Sequence, residues 1–287
     1  MHVASSAALT SAQHVKVWVN GALYGNRGDA KISATDHGVV VGNGVFEALK
    51  VTDAGPFAVQ RHLNRLSRSA AAMGLPAPDH ALIRAAIDEV LDDREFSHGR
   101  LRITYTGGPG PLSSSAPYGP PTLMVAVGPA ELPAAFTAVV TAPWTRNEHG
   151  ALSGVKSTSY AENVRTLAYA TSRGATEAIF LNTEGNVCEG TGTNTFVVID
   201  GTIITPPLSS GPLAGITREV ILEWCDVEER DFTLAEAMAA DEVFITSSLR
   251  DVQAVHRWDE TDLGTFHPMT DGIATTFAEQ SSAVLDP

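Results

Sequence analysis

Ser153-Gly-Val-Lys-Ser-Thr-Ser-Tyr160 is the stretch on which the reading of this chain turns. It holds Lys156, one of only four lysines in 287 residues, and it stands just before a span whose spacing predicts a helix over 161–173. The other three, Lys16, Lys31 and Lys50, fall in or beside predicted strands and hairpins, where an ammonium is ordinarily a solvated edge charge. A lone lysine is most often surface as well. One that acts as a nucleophile needs a depressed pKa, which desolvation or a neighbouring cation supplies.

Working outward, Val187-Cys-Glu-Gly-Thr-Gly-Thr-Asn194 sets a carboxylate, Glu189, before small residues that let backbone approach a bound ring closely. Taken alone it could equally be a turn between strands. Leu213-Ala-Gly-Ile-Thr-Arg218 runs from a glycine-containing loop into a predicted helix. Free N–H groups at such a start form an anion site, so a phosphate could sit over Ile216 and Thr217, although an ordinary N-cap reads the same way. Thr246-Ser247-Ser248, at a strand end, offers a hydroxyl pair for the same phosphate. Arg65, in His62-Leu-Asn-Arg-Leu66, would be surface if it were only a helix arginine. Each signal is weak alone; their order and spacing lift them.

The elements between these motifs are mixed. Val15–Val19 before Asn20-Gly21 reads as a strand entering a tight hairpin. Strands are expected at Val45–Val51, Leu101–Thr106 and Thr122–Val127, and helices from Arg61 to Gly74 and near 79–93. Residues 107–115, Gly-Gly-Pro-Gly-Pro-Leu-Ser-Ser-Ser, must be a loop. In the second half, short strands are expected at Glu177–Leu181, Val187–Glu189, Thr195–Ile199, Thr202–Thr205 and Glu242–Thr246. Helices are expected at 161–173, 216–225 and 233–239. The sequence thus reads as α+β in two domains: a tail at 1–14, a small α/β domain at 15–127, a linker at 128–135 and a larger domain at 136–287.

Composition excludes several classes. A formal charge of −14 repels phosphate backbones and anionic membranes, which argues against nucleic-acid or lipid partners. No run approaches the about 18 apolar residues of a membrane span, and no basic segment precedes an apolar one near the start. Two cysteines, Cys188 and Cys225, make neither a disulfide framework nor a metal site, and cytoplasmic residence is the simpler expectation. The nine histidines show no H-E-x-x-H spacing, so no metal is expected and a metal hydrolase is a poor reading. A non-catalytic protein binding a nucleotide phosphate stays as the contrasting class; it predicts a colourless protein.

Together these segments resemble the fold-type IV, class IV aminotransferases, which work with pyridoxal 5′-phosphate (PLP). The resemblance runs from about Val17 to Val255. It starts at Gly42-Asn-Gly-Val-Phe-Glu47 and continues through the motifs of Arg65, Lys156, Glu189, Thr217 and Ser248, in the family's order. It implies a small α/β domain, a linker and a larger pseudo-barrel domain, with the cofactor in the cleft and a homodimer as the working unit. It implies that Lys156 carries the cofactor as a Schiff base and shuttles the Cα proton, while Glu189 keeps the pyridine nitrogen protonated. Arg65, the Ile216 and Thr217 backbone and Ser247 or Ser248 would hold the phosphate. Tyr160 resembles a family tyrosine near the cofactor oxygen, and Thr193, Asn194 and Leu213 would complete the cofactor shell.

Which amine enters is less plain. In D-amino-acid members the strand Leu101–Thr106 is followed by an arginine for the α-carboxylate; this chain has Gly107-Gly108 there, and Phe46 replaces a frequent tyrosine. A buried carboxylate needs a donor, for which Arg27, His37, Arg102 and backbone amides such as that of Gly107 are the candidates, with Phe46 as a substrate residue of the pocket wall. Glu47 stands where enteric aminodeoxychorismate lyases tend to carry threonine. Lys156-Ser-Thr-Ser-Tyr160 also looks more transaminase-like than the lyases' Lys-His-Leu-Asn. The preferred expectation is a transaminase moving an amino group from a D-amino acid, with R-primary amines as further donors, to a 2-keto acid. The alternatives are 4-amino-4-deoxychorismate lyase and branched-chain L-amino-acid aminotransferase.

Overall fold

The computed structural model describes residues 15–25, 28–115 and 119–287; the expected tail at 1–14 and Arg27 lie outside the described residues. Contacts divide the chain into two units. The first runs to Glu131 and takes in Val155–Ser159 and Asp286, and the second holds Leu132–Gly154, Tyr160–Leu285 and Pro287.

In the first unit, β1 (Lys16–Val19) and β2 (Ala22–Tyr24) are joined at Asn20-Gly21, both with positive φ, as a two-residue hairpin turn requires. There follow α1 (His37–Val40), β3 (Gly44–Thr52), β4 (Gly55–Pro56), α2 (Val59–Ala72), α3 (His80–Leu91), β5 (Gly99–Thr106) and β6 (Thr122–Pro129). The sheet order is β2-β1-β6-β5-β3-β4, antiparallel throughout. Alternation along β3 sends Val45, Leu49 and Val51 into one core with Leu63 and Leu66 of α2 and Ile83 of α3. Gly74, at φ +68, ends the helical run of α2, and the Asp79 carboxylate caps α3 by accepting from Ala81 N and Leu82 N.

Two expectations for this half need correcting. Lys50 is not a solvated edge charge. It is 8% exposed, because β3 is paired on both sides there, and its ammonium lies 5.5 Å from the Phe57 ring centroid. The expected linker at 128–135 begins too early, since Gly128 and Pro129 pair with Arg100 and Gly99 as the end of β6.

The second unit contains β7 (Phe136–Thr141), α4 (Ala161–Ser172), β8 (Glu177–Leu181), β9 (Val187–Gly190), β10 (Asn194–Ile199), β11 (Thr202–Thr205), α5 (Ile216–Trp224) and β12 (Glu228–Glu229). It continues with α6 (Leu234–Met238), β13 (Glu242–Ser247), β14 (Asp251–Trp258), β15 (Thr261–Asp262) and α7 (Pro268–Ala283). The strand path β10-β13-β14-β7-β8-β9 returns to β10 through a β9–β10 pairing, so six strands close a ring, the barrel-like element of this unit. Val139, Ile179, Val197, Val243, Ile245, Val255 and Trp258 form its apolar core.

Sequence reading did not anticipate β7, β14 and α7. The polar residues of β14 conceal it: Gln253 is buried and donates to the Ala134 carbonyl at 2.7 Å. Helix α7 carries Gly272 and several hydroxyl residues, which weaken its local preference. Burial of Ile273 and Phe277 one turn apart holds it, and the Glu242 carboxylate accepts from Met269 N and Thr270 N at its start. Among the described residues, no helix is long and apolar enough to cross a membrane.

Candidate active site

Lys156 belongs to the first unit because residues 155–158 add themselves to the edge of β3 above its pairing with β4. The Phe46 amide donates to the Lys156 carbonyl at 3.0 Å, Ser157 bridges Val45, and the Thr158 amide donates to Gly44 O at 2.8 Å. From the other side, the Lys156 amide donates to Ser69 Oγ at 3.2 Å, a hydroxyl of α2. The half-buried side chain then lays its Nζ 4.5 Å from the Phe46 ring centroid. The guanidinium of Arg102, from β5, lies 3.9 Å from that same centroid. A single ring thus carries both cations, each held by its electron-rich face.

Arg65 is a buried helix arginine, 4% exposed, with its guanidinium set on the carboxylate of Glu47, itself fully buried on the core face of β3. Nε donates to Oε1 at 2.9 Å and Nη2 to Oε2 at 2.6 Å, the two-pronged geometry that arginine suits. His62 Nδ1 lies 2.6 Å from the same Oε2. Burial pushes the Glu47 carboxyl up, but the Arg65 charge, its hydrogen bonds and the His62 bond outweigh it and hold the group at about 2. His62 is pushed down, first by burial and also by the nearby charges of Arg65 and Lys156, against the pull of Glu47.

In the second unit, Glu189 leaves β9 beside Asn194, which opens β10 and also pairs with Thr246 of β13. One Glu189 oxygen accepts from the Leu213 amide at 2.9 Å, and the other lies 3.5 Å from Nε of Arg146. The Asn194 amide group donates to the Leu213 carbonyl at 2.9 Å. The loop between them is shaped by a buried acid, Glu177: it accepts from the Thr191 amide and hydroxyl, from the Gly192 amide and from the Thr193 hydroxyl. A side chain at Gly190 would meet Thr193 Oγ1 at 2.0 Å. Tyr160, just ahead of α4, donates its hydroxyl to the Thr191 carbonyl at 2.8 Å; burial first, then the charges of Glu189 and Glu177, push its phenol up to about 12.

Helix α5 starts at Ile216 with no side-chain cap, its cap residue being Gly215. A Cβ at Gly215 would come within 1.9 Å of Asn194 Oδ1, so the approach of this loop to β10 requires glycine. Thr246 is 1% exposed, and its Oγ1 has no hydrogen-bond partner among the described residues. Uncapped N–H groups at Ile216 and Thr217 together with an unsatisfied buried hydroxyl suit a bound phosphate group. Ser247 and Ser248 follow at the end of β13, where Ser247 Oγ accepts from the Arg250 amide at 3.2 Å. The second unit therefore gathers Glu189, Asn194, Leu213, Ile216, Thr217 and Ser247 around two strand ends and one helix start.

The substrate candidates separate clearly. His37 is fully buried, with Nε2 2.8 Å from the Pro111 carbonyl, so it clamps the loop after β5. Gly107 is buried backbone in that loop and donates to Asn43 O. Arg27 lies outside the described residues. Phe46 and Arg102 remain with Lys156.

Glu177, Arg146 and Ser69 escaped sequence reading. Glu177 left one trace, a lone acid opening the apolar run Ala178–Leu181; Arg146 left none. Among the described residues, no group of three or more His, Cys, Asp and Glu side chains could hold a metal ion.

Known proteins are similar to this chain in sequence and in fold. The amino-transferase class IV family matches residues 44–258. A putative branched-chain-amino-acid aminotransferase of Methanocaldococcus jannaschii is 33% identical over 257 residues, covering 85% of this chain and 88% of that one. A D-alanine aminotransferase of Staphylococcus epidermidis is 32% identical over 266 residues, covering 85% and 89%. The crystal structure of a branched-chain aminotransferase from Thermoproteus uzoniensis superposes with a TM-score of 0.85 at 29% identity, covering 92% of this chain and 93% of that one. With its α+β units, its closed strand ring and its lysine on the edge of β3, the chain belongs to the class IV aminotransferases, a family of PLP enzymes.

Proposed function

We propose that this aminotransferase takes its amino group from D-amino acids, with R-primary amines as secondary donors, and passes it to a 2-keto acid. The observation that carries an amino-acid donor is the shared ring of Phe46: Lys156, the proposed Schiff-base lysine, and the cationic Arg102 both lie on it, at 4.5 and 3.9 Å. Arg102 offers a carboxylate the charge that Gly107-Gly108 does not. Kinship with the D-alanine enzyme supports the D configuration.

PLP supplies an aldehyde for the amine and a ring that accepts the electrons released at Cα. Lys156 Nζ would hold the cofactor through its aldehyde carbon and, when free, would serve as the base for the substrate Cα proton. Glu189, its direction set by Leu213 N and Arg146, would accept from the protonated pyridine nitrogen. Arg65, the amides of Ile216 and Thr217, and the hydroxyls of Ser247 and Ser248 would hold the phosphate, with Thr246 Oγ1 as a further donor. Tyr160 would border the phenolic oxygen, with Thr193 and Asn194, held by Glu177 and Leu213, shaping the wall. The working unit is a homodimer. Exposed Val39, Val41 and Leu112 are apolar residues that a partner subunit would cover, and light scattering at twice the 30.2 kDa chain mass checks it.

A half-reaction scan tests the donor. The PLP-loaded protein is mixed singly with D-alanine, L-alanine, D-glutamate, L-leucine and (R)-phenylethylamine, and loss of its visible absorbance is followed. Rapid loss with the D-amino acids is expected. Loss with L-leucine alone would replace this reading with a branched-chain L-amino-acid donor, which the archaeal relative favours. Stable colour with every donor would point to lyase chemistry.

A further inference from the structure

Three polar side chains run along one face of α2: His62, Arg65 and Ser69, spaced as i, i+3 and i+7, at 1%, 4% and 3% exposure. The same face carries Leu63 and Leu66 into the apolar core, so this is an expensive place for polar groups. Opposite stands Glu47, fully buried on the core face of β3, between Val45 and Leu49. Stability alone does not account for such a cluster, because a buried ion pair is often no better than the apolar side chains that could replace it.

Geometry shows what the cluster does fix. Both Glu47 oxygens are committed, Oε1 to Arg65 Nε and Oε2 to Arg65 Nη2 and His62 Nδ1. Two bonds to one edge of a planar guanidinium set both its plane and its direction. His62 braces the carboxylate from the side, and Ser69, one turn further along α2, takes the Lys156 amide. The helix face thus positions the arginine and the backbone of the lysine from a single frame.

We propose that Glu47, braced by His62, is a positioning residue for cofactor binding: it aims Arg65 at the phosphate group while the same face of α2 fixes Lys156. The inference rests on the reading of Arg65 as a phosphate ligand and goes beyond it by assigning the residues that orient that ligand. Glu47 itself touches neither cofactor nor substrate. Its removal leaves the arginine charged but without the two bonds that set its plane.

The experiment compares PLP with pyridoxal, which lacks the phosphate, as ligands of the full-length apoprotein. Affinities come from quenching of tryptophan fluorescence in wild type, Glu47→Gln, Glu47→Asp, Arg65→Met and the Glu47→Gln/Arg65→Met double variant, with thermal midpoints alongside. Glu47→Gln is expected to weaken PLP by at least about tenfold, the scale of a hydrogen bond to a charged group. Pyridoxal should change by less than about threefold, within the range of an indirect effect. Glu47→Asp should recover part of the loss, and the double variant should bind PLP no worse than Arg65→Met alone. A lower thermal midpoint with equal losses for both ligands would make Glu47 merely structural and overturn the proposal. So would wild-type PLP affinity in Glu47→Gln. If Glu47→Gln does not fold, His62→Asn carries the test, with a smaller but phosphate-selective loss expected and equal losses overturning it. Should Arg65→Met leave the PLP-to-pyridoxal ratio unchanged, the phosphate role of Arg65 fails; a ratio changed by Arg65→Met but not by Glu47→Gln fails the positioning role alone.

Discussion

Glu177 holds Thr191 twice, accepting from its amide at 2.9 Å and from its hydroxyl at 2.5 Å through the same oxygen. The loop that follows Glu189 therefore takes its shape from an acid outside the motif. Replacing Glu177 by Gln leaves one acceptor oxygen and removes the charge, so a loss of about 2–3 kcal/mol is expected in urea unfolding. Weaker cofactor retention should accompany it, because Tyr160 and Asn163 both donate to the Thr191 carbonyl. Unchanged stability in Glu177→Gln would remove this acid from its organising role.

Acid should act on the protein through the Glu47 cluster. Glu47 falls from an ordinary 4.5 to about 2 in the folded state, so its contribution is complete above pH 4.5 and is lost as pH drops towards 2. A shift of that size corresponds to about 3 kcal/mol. His62, pushed down by burial, is held neutral while the unfolded chain takes up a proton below 6.5, which acts in the same direction. Stability should decline from about pH 6.5 downward and steepen below 4.5. In Glu47→Gln the steep part should flatten; chemical denaturation at a series of pH values reads this directly.

Gly215→Ala isolates a purely spatial effect. The backbone there, φ −69 and ψ 135, suits any residue, but a Cβ would sit 1.9 Å from Asn194 Oδ1. PLP affinity should fall at least about tenfold, as overpacking of this kind costs about 1–3 kcal/mol. Adding Asn194→Ala removes the clash, so the double variant should bind better than the sum of the single losses predicts. Simple additivity would mean that the two residues do not meet.

Arg102→Ala tests the carboxylate partner. The KM for an amino acid should rise by about 10- to 100-fold, the worth of a charged hydrogen bond, while a carboxylate-free amine is handled as before. Equal effects on both donors would assign Arg102 to packing on Phe46.

Much of this was legible in the sequence because local chemistry announced it. Gly74 ends α2, Asn20-Gly21 makes a hairpin, and the Glu189, Ile216 and Ser247 motifs fall where a strand end or helix start was expected. What stayed hidden depended on distant partners. The strand character of β14 rests on Gln253 reaching Ala134, and α7 rests on Glu242 capping it from β13. Lys50 looked like a surface charge, and Arg65 would have without the family resemblance, because nothing in their neighbours in sequence reveals the Phe57 ring or the Glu47 carboxylate. Arg146 meets Glu189 across 43 positions of chain, too far for any local pattern to record.

The late arrival of Lys156 in the chain constrains how the molecule is made. The edge of β3 at Gly44–Phe46 is closed by residues 155–158, which leave the ribosome more than a hundred residues after the strand they complete. Until then the first unit would have an open edge at Gly44–Phe46. A fragment ending at Glu131 would carry that same open edge, and could be repaired in trans by a peptide spanning 155–159 or in cis by a permutation that moves this segment forward. Vectorial synthesis thus delivers Lys156 and the last partner of β3 in a single step, so that the closing of this edge and the arrival of the proposed Schiff-base lysine are one event.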